Sequence, residues 1–451
     1  MHDGAPSAWP RFACHILRNV WSQKPCGQKP AQLCRTLLLS DTISYSSEFK
    51  GQTFTDLNLE VESMPVVQHE LLNVEQGIHD TRSRISNANN AASVSMQRLA
   101  GGLSDGVDVV TVNNGYLSLQ LLPTRGMGVW KADADGMPVK WNSPVERPVH
   151  PTFVDQMRRG GIGWLDGFNE LICRCGLGWH GAPGTDTIVD NNGKVVSEQF
   201  LPLHGRIANL PAHRVSATVD ADHVSVTGVV DEGCLFGGRL RLESTLTTPV
   251  GSSIFQIIDV VTNLGGQPAE VEMLYHCNIG EPFLGEGSIC HTAAIEVAPR
   301  NDRAAEGISM WNIFEGPTTG FAEQVYYTKA ATDEAGQGIA VLTDAESKLA
   351  FCMRFDTSTL PFFVLWKNTQ AAADGYVTGL EPGSSFPNPH NAERRGGRVI
   401  NLASGESVTF RLQFEIATER YRVRQLLDEV TSLQVATART VHSSPKPEWT
   451  P

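Results

Sequence analysis

The chain has 451 residues, a formal net charge of −13 and an apolar fraction of 41%. Its length and apolar content allow a domain with a large core, and 19% charged residues do not indicate disorder. The acidic balance argues against nucleic-acid binding, which needs a basic face to neutralise phosphates, and no apolar run reaches the roughly 18 residues of a membrane span.

The N-terminal residues 1–50 are predicted to be a poorly ordered, basic extension. Between Gly4 and Ser40 the sequence contains no acidic residue and five basic ones, namely Arg11, Arg18, Lys24, Lys29 and Arg35. The segment lacks the apolar run of a secretory signal. Two interpretations stay open, a transit-like arm and an extension that takes no part in the fold.

The next part of the chain is predicted to begin the folded domain. Residues 51–62 alternate between polar and apolar side chains, which predicts a first strand. Residues 63–100 are polar and rich in Asn and Ser, and a short helix is expected there.

From residue 101 the pattern becomes strand, turn, strand. Asn113-Asn114-Gly115 is a hairpin-type turn between apolar runs. Further strands are predicted at 212–219, 222–230, 238–248, 253–263, 269–278, 338–343, 349–356, 361–366, 374–381 and 406–415. Clear helical spacing occurs over 419–434, and the proline-containing tail 436–451 is expected to be disordered. The sequence thus predicts an all-β fold, a large antiparallel β-sandwich with few helices, as a single domain over 51–435.

Cysteine usage indicates free thiols. The nine Cys are an odd number with no disulfide-like spacing, and Cys173 and Cys175 are one residue too close for the usual metal-binding pair. Free thiols are typical of a reducing compartment, so a cytoplasmic location is predicted.

Three glycine-rich segments carry the candidate catalytic residues. His204 is followed by Gly205 and Arg206; His276 lies at a predicted strand end before Asn278; and Glu381 closes a strand ahead of Pro382-Gly383. Period-two geometry places Leu274, His276 and Asn278 on one face. Each residue taken alone is more often structural, but two His and one Glu in such settings are typical of a general acid/base site.

The three segments, in this order, resemble the aldose 1-epimerases, also called galactose mutarotases. The similarity is greatest to a branch that is a domain-of-unknown-function family, and it covers about residues 100–416. The segments that carry this branch-level likeness are Leu122-Pro-Thr-Arg125-Gly-Met-Gly128, Gly160–Glu170, Cys175-Gly-Leu and Tyr275-His276-Cys-Asn278. The chain departs from the mutarotase pattern by having Pro382-Gly383 after the Glu and Arg206 after His-Gly.

The resemblance implies that the protein interconverts sugar anomers by opening and closing the ring. Glu381 would act as the base, His276 as the acid, and His204 would donate a hydrogen bond to a sugar oxygen. Glu381 and His276 are expected to face each other across several ångströms, because a sugar ring would have to fit between them. No metal and no organic cofactor is implied. The residues expected to bind the sugar are Arg125, Arg206, Asn278, Asp166, Trp164, His180 and Asn391, while Arg158, Arg159, Phe168, Trp179 and Trp366 are further pocket candidates that could equally be structural.

Two other functions stay open. The chain could be a carbohydrate-binding protein without catalysis, because a fold does not fix a function. It could also be a metal-dependent isomerase or lyase with His180, His204, His276 and Glu381 as ligands, although no short ligand motif is present. A small carbohydrate is the expected partner, with neither nucleic acid nor membrane, and the oligomeric state and the identity of the sugar are left open.

Overall fold

The structure, a computed structural model, describes residues 68–451 except residues 190, 191, 193 and 236. The predicted extension over 1–50 and the predicted strand over 51–62 lie outside these residues. Strands β1–β27 and helices α1–α4 are numbered here in chain order. Most strands belong to two large sheets that share a core, which confirms the predicted antiparallel β-sandwich.

The first sheet has ten strands among the described residues. In spatial order they are β18 (Ile289–Thr292), β21 (Gln337–Thr343), β22 (Ala350–Asp356), β26 (Ser407–Ala417), β15 (Ile254–Asn263), β14 (Arg239–Pro249), β13 (His223–Gly233), β12 (Arg214–Val219), β1 (Gln68–Asn73) and β2 (Ile78–His79).

The second sheet has thirteen strands in the described part of the chain. In spatial order they are β27 (Thr440–Val441), β19 (Ala294–Pro299), β20 (Gln324–Ala330), β23 (Phe362–Asn368), β24 (Val377–Gly383), β17 (Leu274–Ile279), β9 (Ile172–Cys175), β7 (Gly128–Ala134), β6 (Leu117–Leu122), β5 (Asp108–Asn113), β4 (Ser93–Arg98) and β3 (Arg84–Ser86), with β8 (Met137–Val139) paired to β7. Every strand pair in the two sheets is antiparallel among the described residues, except β19 with β27.

The remaining elements are short, apart from one helix. Two small sheets pair β10 (Gly184–Val189) with β11 (Val195–Leu201) and β16 (Ala269–Val271) with β25 (Ile400–Leu402). The helices are α1 (Arg158–Gly161), α2 (Asp302–Glu306), α3 (His390–Arg395) and α4 (Arg420–Val435). No helix of the described residues has the length and apolar content needed to cross a membrane.

The core lies between the two large sheets and follows the alternation of the strands. In β15, Phe255, Ile257 and Val261 are buried in the shared core, while Gln256, Ile258 and Val260 on the other face are partly exposed. β21 and β22 are instead buried on both faces, because α4 covers their outer side with Val423, Leu426 and Val430. The spacing of those residues, three then four, places them on one helix face, as the periodicity over 419–434 predicts.

One buried ion pair connects the two sheets through this core. Arg174 of β9 donates to Asp259 of β15, with Nε–Oδ2 and Nη2–Oδ1 distances of 2.5 and 3.1 Å. The Tyr275 hydroxyl donates to the same carboxylate at 2.7 Å, and Ser244 accepts a further bond from Arg174. The buried charges are therefore paired and hydrogen-bonded, as burial requires.

Two expectations from the sequence are wrong. The short helix expected within 63–100 is absent from the described part of this segment, which forms strands β1–β4. A single 3-10 turn, Gly102–Ser104, follows the segment. The polar residues of the segment occupy the exposed positions of strands whose alternate residues, such as Leu71, Val94 and Met96, enter the core. The polar composition therefore hid a half-buried strand pattern.

The tail 436–451, expected to be disordered, packs against the domain. β27 pairs with β19, and Lys446 forms an ion pair with Glu296. Trp449 is 8% exposed and packs on Phe386, with ring centroids 4.9 Å apart. The prolines of this segment mark an irregular backbone, and one buried aromatic side chain supplies the contact that keeps it in place.

Candidate active site

His276 and Glu381 are neighbours on adjacent strands of the second sheet. The register pairs Cys277 with Leu380 and Asn278 with Gly379, so His276 and Glu381 lie directly opposite each other. The His276 Nε2 and Glu381 Oε1 atoms are 3.2 Å apart, and both side chains are buried. The expectation that these residues stand several ångströms apart is wrong, because direct cross-strand neighbours have Cβ atoms only about 5 Å apart.

The second nitrogen of His276 is held by Asn278. His276 Nδ1 and Asn278 Oδ1 are 2.6 Å apart, and the Asn278 amide nitrogen donates to the carbonyls of Glu170 and His276. Because that amide is used as a double donor, Oδ1 is an acceptor and Nδ1 of His276 carries the proton. Nε2 is then the unprotonated nitrogen, and it faces Glu381.

Burial favours the uncharged forms of both partners. Loss of hydration lowers the pKa of His276 to about 4, even though the hydrogen bond with Asn278 opposes the shift. Burial also raises the pKa of Glu381 well above its ordinary value, and the negative charge of Glu323 adds to the effect. The site therefore brings together a neutral imidazole and a carboxyl group that favours its protonated form.

Gly379 makes room for this pair. A Cβ atom at position 379 would lie 2.2 Å from Glu381 Oε1 and 3.1 Å from His276 Cε1. The absence of a side chain at this position, two residues before Glu381 on the same face of β24, is therefore a condition for the observed arrangement.

His204 approaches the pair from a loop over the outer face of the second sheet. Its ring centroid is 5.5 Å from that of His276, and burial lowers its pKa well below the ordinary value. Both His204 and Gly205 have positive φ, 59° and 71°. A Cβ at Gly205 would lie 2.2 Å from the Trp179 carbonyl oxygen and 2.3 Å from that of Gly176, so only glycine fits after His204.

Aromatic rings surround the two histidines. Trp164 lies 4.7 Å from His204 and 4.6 Å from Phe168 between ring centroids. Phe168 and Trp366 each pack edge-on against His276, at 5.0 and 5.2 Å. These rings exclude water from the pair, which is the cause of its shifted pKa values.

Glu323 and Arg300 lie at the more exposed side of the pair. Glu323 accepts hydrogen bonds of 2.6 Å from both the Arg300 guanidinium and the Trp366 indole. The negative charge of Glu323 raises the pKa of Glu381, and the positive charge of Arg300 lowers it. Neither residue was predicted from the sequence, because no motif marks them and their position depends on strand order.

The buried surroundings of the pair contain polar atoms without partners. Native proteins leave few such atoms unsatisfied. Among the described residues, those near the three candidate segments that have no hydrogen-bond partner are Arg125 Nη2, Trp164 Nε1, Asn169 Oδ1, His180 Nδ1, His204 Nδ1 and Asn209 Nδ2. Glu381 Oε1 contacts His276 Nε2 at 3.2 Å but has no hydrogen bond either.

Arg125 and Arg206, both predicted to bind the sugar, differ in their surroundings. The Arg125 guanidinium is fully buried, forms a 2.6 Å ion pair with Glu170 and donates to Asn209. Only its Nη2 is without a partner. Arg206 is partly exposed, and its positive charge acts on the buried Glu232, whose pKa it helps to lower against the larger raising effect of burial.

Two predicted sugar-binding residues have other partners. Asp166 accepts hydrogen bonds from Arg158 and Arg159 in a partly exposed ion-pair group. Asn391 of α3 donates to the Thr185 carbonyl oxygen of β10 at 2.9 Å. The pairing of Arg158 and Arg159 with Asp166 agrees with the structural alternative considered for these arginines.

His180 belongs to a second buried network at the start of β17 and the end of β24. Its Nε2 is 2.8 Å from the Ser385 hydroxyl, which donates to Glu272 Oε1 at 2.6 Å. Since the single hydroxyl proton is used by Glu272, His180 Nε2 donates and Nδ1 is the unprotonated nitrogen. That Nδ1 has no partner in the described part of the chain.

His390 completes this network. Its Nδ1 lies 2.5 Å from Glu272 Oε2, and its Nε2 lies 3.0 Å from Glu270 Oε2. Burial alone would lower its pKa, but the hydrogen bonds with Glu270 and Glu272 raise it to about 9. Arg394 joins Glu270 to Asp186 at the outer end of the network. This group was not predicted from the sequence, since no local motif links its members.

The metal-dependent alternative requires clustered ligands. Among the residues that the structure describes, no group of three or more His, Cys, Asp or Glu side chains is arranged to hold a metal ion. His180, His204, His276 and Glu381 therefore do not form such a group.

Comparisons with known proteins identify the family. Residues 104–416 match the family model described as "Domain of unknown function (DUF4432)". No curated protein matches the chain. The crystal structure of a proposed aldose 1-epimerase from Klebsiella pneumoniae subsp. pneumoniae is 31% identical, with a TM-score of 0.79, and the match covers 84% of this chain and 99% of that one.

A more distant structure shares the fold. A galactose mutarotase-like protein from Clostridium acetobutylicum is 16% identical, with a TM-score of 0.50, over 72% of this chain and 98% of that one. The family match spans more than half of the chain and includes His204, His276 and Glu381. The chain therefore belongs to the DUF4432 family, on the fold of the galactose mutarotase-like proteins.

Proposed function

We propose that this protein interconverts the anomers of an aldose by general acid/base opening and closing of the sugar ring. One observation carries the proposal: a buried histidine and a buried carboxyl group are in contact, and both favour their uncharged forms. Such a pair can remove one proton and deliver another without leaving an isolated charge in the low-dielectric interior. The likeness to the proposed aldose 1-epimerase of K. pneumoniae supports the same reaction class.

The pKa directions reverse the roles expected from the sequence. His276 Nε2 is unprotonated, so His276 takes the proton of the anomeric hydroxyl, while the neutral carboxyl of Glu381 protonates the ring oxygen. The ring opens, the C1–C2 bond rotates, and the ring closes on the other face. Ring closure uses the same two groups with their roles exchanged, because ring opening leaves His276 protonated and Glu381 deprotonated.

The short distance between the two groups suits this reaction. The anomeric oxygen and the ring oxygen are bonded to the same carbon, so an acid and a base in contact can serve both oxygens from one side. The sugar ring need not lie between the side chains. This removes the reason for the separation that was expected from the sequence.

The polar atoms without partners supply contacts for hydroxyl groups. His204 Nδ1 and Trp164 Nε1 are buried near the pair, and both can form a hydrogen bond with a sugar. A cytoplasmic location is part of the proposal, because the cysteines of the described residues are free thiols and five of them are buried.

The test is the rate of anomer exchange at equilibrium, measured by NMR on aldoses, uronates and sugar phosphates. We expect Glu381→Gln and His276→Asn each to lower kcat about 10²- to 10⁴-fold, the usual contribution of one acid/base group. His204→Asn should lower kcat by a smaller factor, because His204 only polarises an oxygen of the sugar. Sugar binding, measured by calorimetry, should be largely kept.

Three outcomes would contradict the proposal. Full exchange by the Glu381→Gln protein, on a sugar that the wild type converts, would exclude Glu381 from the reaction. Tight sugar binding by the wild type with no exchange of any sugar would favour the carbohydrate-binding alternative. Activity lost on chelation and restored by one metal would favour the metal-dependent alternative.

A further inference from the structure

A cavity of about 460 Å³ lies beside the candidate active site, at the surface of the second sheet. Trp130 and Lys131 of β7 line it, together with Lys140 and Trp141, which follow β8. Asn169, from the Gly160–Glu170 segment, forms part of its wall. The volume lies in the range of small-molecule sites.

The cavity is lined by two cations, Lys131 and Lys140, and by one carboxylate, Glu146, which is exposed and forms an ion pair with Arg147. Within the part of the chain that the structure describes, neither the Lys131 nor the Lys140 ammonium group has a hydrogen bond or an ion pair. Burial lowers the pKa of Lys131, and the positive charge of Lys140 lowers it further, so the two ammonium groups are close enough to repel each other. The Lys131 Nζ lies 4.2 Å from the Trp130 ring centroid. An anion bound between the lysines would relieve this repulsion.

The wall of the cavity also has a buried acceptor. Asn169 is 4% exposed, and its amide nitrogen donates to the Val145 carbonyl oxygen at 3.0 Å. Its Oδ1 has no partner among the described residues. A lone carbonyl oxygen does not bind an anion, but it accepts a hydrogen bond from a hydroxyl group.

The aromatic side chains add the third element of recognition. The Trp141 indole donates to the Glu170 carbonyl oxygen, which fixes the ring, and Trp130 offers a second indole. Rigid indole faces bind the apolar face of a sugar ring at low entropic cost. Two cations, one hydroxyl acceptor and two indoles together match a ligand that is both polyhydroxylated and negatively charged.

We propose that this cavity is a binding site for an anionic sugar, whose carboxylate or phosphate is bound by Lys131 and Lys140 and whose hydroxyl group donates to Asn169. The cavity shares a wall with the candidate active site, because Trp141 packs on Phe168 at 5.2 Å and Phe168 packs on His276 at 5.0 Å. The proposal does not depend on anomer exchange, since it concerns binding alone.

Calorimetry on the full chain tests it with four probes: glucose 6-phosphate, glucuronate, glucose and inorganic phosphate. We expect at least one of the two anionic sugars to bind about tenfold or more tightly than both glucose and inorganic phosphate, with an affinity that falls as salt rises. The double variant Lys131→Met/Lys140→Met should lose about tenfold or more of that affinity. Lys329→Met, at an exposed lysine of β20, is the matched control and should bind as the wild type does.

The following results would overturn the proposal. Equal affinities for glucose and the anionic sugars would remove the role of the lysines, as would an unchanged affinity of the double variant. Inorganic phosphate bound as tightly as glucose 6-phosphate would reduce the cavity to a simple anion site. Glu381→Gln should keep this binding, so a failed acid/base mechanism and a failed anion site are told apart.

Discussion

Two buried histidines, His276 of β17 and His390 of α3, have pKa values shifted in opposite directions. His276 has a pKa lowered to about 4, and His390 has a pKa raised to about 9. Both rings contact a glutamate, and both are almost fully buried. Burial and the presence of one carboxylate therefore do not decide whether a histidine is charged.

The difference lies in what the second ring nitrogen contacts. His390 lies between two carboxyl groups, Glu272 and Glu270, and the pKa of Glu270 is lowered to about 2 by its hydrogen bonds with His390 and Arg394, against the effect of burial. The second nitrogen of His276 contacts the neutral amide of Asn278. A histidine between two acids stays charged and serves the fold, whereas one between an amide and an acid is neutral and free to exchange a proton.

The comparison is tested most strongly by the same substitution in each group. Glu272→Gln should destabilise the protein by about 3–5 kcal/mol, because the buried charge of His390 loses the carboxylate that its Nδ1 contacts. Glu381→Gln should cost less than about 1.5 kcal/mol, because it replaces a carboxyl that favours its neutral form by a group of the same shape. Urea unfolding of both variants measures the two values. Equal losses of stability would mean that the two carboxyl groups carry the same charge.

Asn278→Asp should make His276 resemble His390. An anionic group at Nδ1 favours the protonated imidazole, so the pKa of His276 should rise by about 1–3 units. The acid limb of the anomer-exchange rate should move to higher pH by the same amount. NMR titration of the imidazole checks the shift, and Asn401→Asp, at an exposed position of β25, controls for the added charge. A pKa of His276 that stays near 4 would contradict the role given to the amide.

Both histidines should affect the pH dependence of stability: His276 should lower the stability as the pH falls, and His390 should lower it as the pH rises. From pH 6.5, the ordinary pKa, down to about 4, the unfolded chain binds a proton that folded His276 does not, so stability falls as the pH falls. From 6.5 up to about 9, folded His390 keeps a proton that the unfolded chain loses, so stability falls as the pH rises. The expected changes in Tm are a few degrees, since about 1 kcal/mol moves Tm only slightly in a domain of this size.

Two variants assign these changes to their residues. His276→Asn should flatten the acid side of the Tm profile and leave the alkaline side as it was. His390→Gln should do the reverse, at a lower overall Tm. If His390→Gln left the alkaline side unchanged, another group would be responsible for it.

The limits of β14, β15 and β26 were predicted to within two residues, and the apolar side chains of these strands enter the core. β21 and β22, which are buried on both faces, were also predicted, because their sequences are short apolar runs. β20 was not predicted, because buried polar residues such as Gln324 and Thr328 interrupt its apolar residues, so that its sequence shows neither a period of two nor an apolar run. β11 was missed for a different reason, since nearly all of its residues are exposed.

The sequence predicts which residues form the candidate site, but it does not predict how they are arranged. Alternation placed His276 and Asn278 on one face, and the structure has both there. The contact between His276 and Glu381 depends on the register of β17 against β24, which no local pattern encodes. The pKa values follow from the rings of Trp164, Phe168 and Trp366, which come from distant parts of the chain.

The ion pair between Arg174 and Asp259 affects how the two sheets resist sliding. Apolar side chains would let one layer shift over the other at modest cost, whereas a buried ion pair is satisfied in one relative position only. A displacement by one residue, about 3.4 Å along a strand, would separate the charges at a cost of several kcal/mol. Because Cys173, adjacent to Arg174, pairs with His276, the resistance of the sandwich to shear is concentrated directly behind the candidate catalytic histidine.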